Sequence, residues 1–182
     1  MRKLTRGYIL LTLLVLTGFA GQVSNQTISS KERTELVSSL KQAKKALLIS
    51  VDDLTTEQLS FKPSKAEQSI SEKILELNAA QTLLLSNVDA TINGTAIGLA
   101  NTSAPTFSTA NIAADNVIDQ FKASQSRLVK YARTTTEDMH SYQVQTASGR
   151  KDAYQALLEL PALSKKCITE IEAVKKHPRF PK

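Results

Sequence analysis

Between Ser30 and Leu54 the residues Leu36, Leu40, Ala43, Leu47, Val51 and Leu54 follow one another at steps of three or four. That period sets all six on one face of an α-helix and scatters them over both faces of a strand. Three more segments carry the same signal. Ile70, Ile74, Leu77, Leu84 and Val88 form a stripe on the second, which runs to about Thr91. Ile112, Ile118, Phe121, Leu128 and Tyr131 do so on the third, between Asn111 and Asp138. Leu160, Leu163, Cys167, Ile171 and Val174 do so on the fourth, between Lys151 and Lys176. No segment alternates at period two for long enough to build a sheet; "SYQVQT" at 141–146 could form at most a short strand. Four one-sided helices bury their stripes by packing together, so the expected fold class is all-α, a four-helix bundle.

The boundaries support this reading. Ser29 with Glu32, and Ser69 with Glu72, have the capping-box spacing, in which each residue satisfies a free N–H of the other. The stretch "LSFKPSKAEQ" separates the first two helices, and Pro63 cannot continue a helix begun before it. Residues 93–110, "NGTAIGLANTSAPTFSTA", read as a long loop or crossover. Such a length permits topologies other than up-down-up-down. Gly149 marks a break before the last helix. Pro161 lies inside that helix, where it removes the hydrogen bond to the Leu157 carbonyl. A kink is expected there, at a cost of about 3 kcal/mol that packing has to offset.

The first twenty residues stand apart. Arg2, Lys3 and Arg6 precede the apolar run "YILLTLLVL", and Gly18 and Ala20 supply small side chains before a cut after Ala20. This pattern is that of a secretory signal peptide. The run is too short to span a bilayer, which takes about 20 residues, and no stable membrane anchor is expected after cleavage. The expected product is one exported domain, residues 21–182, periplasmic or extracellular. Removing the three cations lowers the net charge from +6 to +3. A residual charge that small, with no tryptophan and no aromatics among the lysines of "KQAKK", excludes a nucleic-acid footprint. One cysteine, Cys167, cannot form an internal disulfide, so the fold has to be stable on packing alone. Asn25, Asn93 and Asn101 each open an Asn-x-Ser/Thr triplet, which matters only in a host that glycosylates such sites.

Three stretches together carry a family resemblance: "LTTEQLSFKP" at 54–63, "SISEKILEL" at 69–77, and "DAYQALLELPALSKKCITEIEAVKKHPRFPK" at 152–182. In this order and spacing the chain, from about Arg33 to Lys182, resembles the DinB-like superfamily of four-helix-bundle proteins (DinB/YfiT-like). The resemblance implies a divalent metal held by three histidines, one on the second helix and two, four apart, on the last. Carried onto this chain, those positions hold Glu76, Leu163 and Cys167. Gln68 stands where the family places a tryptophan.

A catalytic zinc site needs about three protein ligands, of which leucine supplies none. His140 or His177 would have to swing in to complete a set. On the residues themselves, Cys167 sits between Leu163 and Ile171 as a small hydrophobe would, and Glu76 could pair with Lys73 on its flank. The expectation is therefore a bundle with a degenerate metal site, no cofactor and no catalytic residues, acting by binding a small ligand or a protein. The ligand would sit between the second and last helices. A homodimer is a further possibility. The alternative is a metal- or thiol-dependent hydrolase or transferase with a rebuilt site using Glu76 and Cys167. No phosphate loop, zinc-helix motif or serine triad is present to suggest other chemistry.

Overall fold

Each of the four striped segments is helical in the computed structural model, which describes residues 27–95 and 114–182. The helices are α1 (Ser30–Val51), the short α2 (Thr56–Ser60), α3 (Ile70–Ile92), α4 (Ala114–Thr134) and α5 (Ala153–Lys175). A hairpin of β1 (Gln143–Thr146) and β2 (Gly149–Asp152) joins α4 to α5. The first twenty residues, expected to be a signal peptide, and Asn25, Asn101, Ile112 and most of the long connection lie outside the described residues. Among the described residues no helix is long and apolar enough to cross a membrane.

Both expected capping boxes form, at Ser29–Glu32 and Ser69–Glu72, and a third at Thr55–Gln58 starts α2. α1 ends at Val51, one turn short of Leu54, where the chain turns into α2. α4 ends at Thr134 and not at Asp138. Three successive threonines are poor helix formers, and the Arg33 guanidinium takes the carbonyls of Ala132, Arg133 and Thr135, at 3.2, 3.0 and 2.7 Å. The hairpin is a real element, although Val144 is the only apolar residue of its two strands. The strands pair from Gln143↔Asp152 to Thr146↔Gly149, and Gly149 takes a φ of 114° at the turn. Glu159 of α5 anchors it, accepting from Thr146 Oγ1 (3.1 Å), from Ser148 Oγ and from Lys151 Nζ (2.6 Å).

The order of helices around the bundle is not the order in the chain. α1 packs against α4 and α5, and α3 also packs against α4 and α5, so α1 and α3 stand at opposite corners. Pairings give the directions. Arg33 meets the end of α4, and Lys44 meets Ser126, so α1 and α4 are antiparallel. Gln81 meets Ser164 and Lys73 meets Cys167, so α3 and α5 are antiparallel. Leu36 and Leu40 share one apolar cluster with Leu157 and Leu160, while Leu47 and Val51 share another with Ile171 and Val174; α1 and α5 are parallel. By the same test α3 and α4 are parallel. A 23-residue helix is about 34 Å long, so the link from α3 to α4 has to return that distance.

The core is divided. One half gathers Leu36, Leu40, Leu84, Val88, Leu128, Leu157 and Leu160 beneath the hairpin, with Met139 and Val144. The other gathers Leu47, Val51, Ile70, Ile74, Phe121, Cys167 and Ile171. Each such aliphatic side chain contributes about 1.5–3 kcal/mol by burial, which is how α5 continues through Pro161, with Leu157 and Leu160 buried in the turn before it and Ile171 and Val174 buried beyond it. At the second end the C-terminal tail folds back. Phe180 packs edge-on against Phe61 at 5.5 Å, Gln58 Nε2 donates to the Pro181 carbonyl at 3.0 Å, and Arg179 donates to that of Pro63. The "LSFKP" turn and the "RFP" tail, far apart in sequence, are thus one contact.

Candidate functional site

Glu76, Leu163 and Cys167 lie along the seam between α3 and α5. Cys167 is buried, 5% exposed, and its thiol points at the α3 backbone, 3.7 Å from the Lys73 carbonyl. Burial pushes the thiol up to about 12; the Glu170 carboxylate, and more weakly that of Glu76, add to the shift against the Lys73 ammonium. It is therefore a protonated, un-nucleophilic sulfur at neutral pH. Leu163 is half-buried and packs against both halves of the core.

Glu76 is exposed, and its expected pairing with Lys73 does not form. Lys73 instead faces Glu170 at 3.6 Å, and Glu76 accepts a hydrogen bond from Gln68 Nε2 at 2.7 Å. Gln68, which the resemblance sets at a tryptophan position, thus holds Glu76, which it sets at a histidine position.

Neither histidine reaches the seam. His140 lies at the hairpin end, with Nε2 at 3.2 Å from Glu32, Nδ1 at 3.7 Å from Asp152, and its ring 5.3 Å from that of Tyr154. It bridges the capping carboxylates of α1 and α5. His177 packs on Phe61, ring centres 5.7 Å apart, and accepts from the Arg179 N–H. Glu76, Leu163 and Cys167, the positions that the resemblance assigns to metal ligands, thus offer one solvent-facing carboxylate, one hydrocarbon and one protonated thiol. This donor set does not fit a divalent metal, which needs three or more convergent ligands. Among the described residues no group of three His, Cys, Asp or Glu is placed to hold a cation.

The most conspicuous polar feature of the interior is elsewhere. Gln81, Gln125 and Ser164, all fully buried, form a layer between the two apolar halves. Gln81 Nε2 donates to the Leu160 carbonyl (2.9 Å) and to Ser164 Oγ (3.0 Å), and Gln125 Nε2 donates to Gln81 Oε1 (2.6 Å). Reading the apolar stripes alone misses this layer. Its signal is a gap in two of them: position 81 between Leu77 and Leu84, and position 125 between Phe121 and Leu128, are core positions filled by glutamine.

No protein-family model and no curated protein matches the chain. Among solved structures it is similar to YfiT from Bacillus subtilis, described as a probable metal-dependent hydrolase with an unusual four-helix bundle topology. The match has a TM-score of 0.56 at 11% identity, over 86% of this chain and 93% of that one. At that identity the likeness establishes the fold, a four-helix bundle like that of YfiT, and not the chemistry.

Proposed function

We propose that this chain is an exported DinB-like bundle whose metal site is degenerate, and that it acts by binding and not by catalysis. The carrying observation is the state of Cys167, the strongest metal donor among the three family positions. It is buried, protonated and turned to a backbone carbonyl, beside a leucine that has no donor atom. A thiol-dependent reaction would need an accessible thiolate with a base beside it, and the same burial works against that rival.

Cys167, Ser164 and Gln81 close the seam between α3 and α5. This favours recognition through the outer faces of the bundle over a cleft at that seam. Export rests on the first twenty residues alone.

The test is the metal content of purified mature protein after dialysis without chelator. Only traces are expected. Near-stoichiometric zinc, nickel or iron, lost on replacing Glu76 and Cys167, would overturn the reading.

A further inference from the structure

The Gln81–Gln125 layer has a direction that its surroundings impose. The Leu160 carbonyl can only accept, so Gln81 has to present its NH2 group there, with the second hydrogen on Ser164 Oγ. Its oxygen then faces Gln125, which has to donate in turn. The oxygen of Gln125 is thereby turned away. Reversing Gln125 would set two amide oxygens against each other, and reversing Gln81 would set its oxygen against the Leu160 carbonyl.

Gln125 Oε1 is left buried with no partner, in a residue with no solvent exposure. Among the described residues one other buried side-chain atom is unpartnered, Asn78 Oδ1, three residues before Gln81 on α3. Lys73 marks the face of α3 that looks at α5. At 100° per residue, Lys73 lies about 80° from Gln81 in one sense and Asn78 about 60° in the other. Asn78 therefore falls on the α4 side, where Gln125 also sits.

Two buried acceptors on one seam, each lacking a donor, are costly unless something supplies O–H or N–H groups. We infer that the middle of the bundle contains a binding site for internal water in the α3–α4 seam, with O–H groups donated to Gln125 Oε1 and Asn78 Oδ1. A cationic donor such as ammonium is disfavoured, because the layer is built of neutral amides and a hydroxyl with no carboxylate to balance the charge. Water is small, neutral and carries two donors, which matches the two orphaned oxygens.

The test is a crystal structure of the mature protein fine enough to show ordered solvent, paired with water-to-amide cross-relaxation from Gln125 in solution. The expected result is a solvent peak about 3 Å from Gln125 Oε1 and a long-lived water signal on its side-chain amide. A Gln125→Leu variant should lose both. Should that variant fail to fold, the wild-type measurement still decides. A protein N–H or O–H found on Gln125 Oε1, a dry oxygen, or solvent confined to Asn78 would each overturn the inference.

Discussion

Replacing Cys167 with alanine should make the protein less stable at pH 7 and nearly as stable as, or more stable than, the wild type at pH 10. The side chain is 5% exposed, and deleting its sulfur leaves a void in the second half of the core at a cost of about 1 kcal/mol. The pH term has the opposite sign. Burial holds the folded-state thiol near 12, against an ordinary value near 9. Between those values the unfolded chain releases a proton that the folded chain keeps, so rising pH favours unfolding. The loss begins near pH 9, approaches about 1.4 kcal/mol per unit, and amounts to roughly 1.4 kcal/mol at pH 10. Burial also raises Tyr131 and Tyr154, but they act equally in both proteins and cancel in the difference. Urea unfolding at the two pH values measures that difference. A wild-type advantage that stays constant from pH 7 to pH 10 would show that the thiol is not held protonated, and the argument against a reactive sulfur would fail with it.

Four further outcomes are expected. The combined change Glu76→His, Leu163→His and Cys167→His should create zinc binding measurable by calorimetry, since it restores three imidazoles along one seam; no binding would mean that the family positions were misassigned. Gln81→Leu alone should cost about 2–4 kcal/mol, because it strands Gln125 and Ser164, whereas Gln81→Leu with Gln125→Leu and Ser164→Ala should cost less than the single change. Arg33→Ala should lower stability by about 1–3 kcal/mol, because the carbonyls of Ala132, Arg133 and Thr135 are all served by one guanidinium nitrogen, Nη1; Arg33→Lys should recover part of it, since an ammonium keeps the charge and the donors but not the reach of the guanidinium. Phe180→Ala should cost about 1–2 kcal/mol through loss of the Phe61 contact, read as a shift of the urea midpoint at unchanged slope.

The helices were legible because each buries one stripe and carries local stop and start signals; Ser29 and Ser69 cap where their spacing to Glu32 and Glu72 said they would. The hairpin was not, because its stability comes from Glu159 thirteen residues beyond Thr146 and not from its own apolar content. The end of α4 was missed for the same reason: the residue that satisfies its carbonyls is Arg33, on another helix. Of the candidate site, the burial of Cys167 followed from its place between Leu163 and Ile171. The partner of Glu76 did not, since Gln68 reaches it across the capped start of α3 and not from the flank. The glutamine layer was visible only as two missing hydrophobes, and what those positions do depends on three helices meeting at one height.

The ring order has a consequence for how the chain is made. α1 packs little against the two helices that follow it in the chain; its principal neighbours are α4 and α5, which begin at Ala114 and Ala153. A ribosome delivering the chain from its N-terminus releases α1 long before either neighbour exists. Its apolar stripe of Leu36, Leu40, Leu47 and Val51 has to wait, exposed, through more than sixty residues of synthesis. Closing loops of that size before any packing is gained delays assembly relative to a bundle of sequential hairpins. The unassembled polypeptide is consequently longer-lived here than helical content alone would suggest.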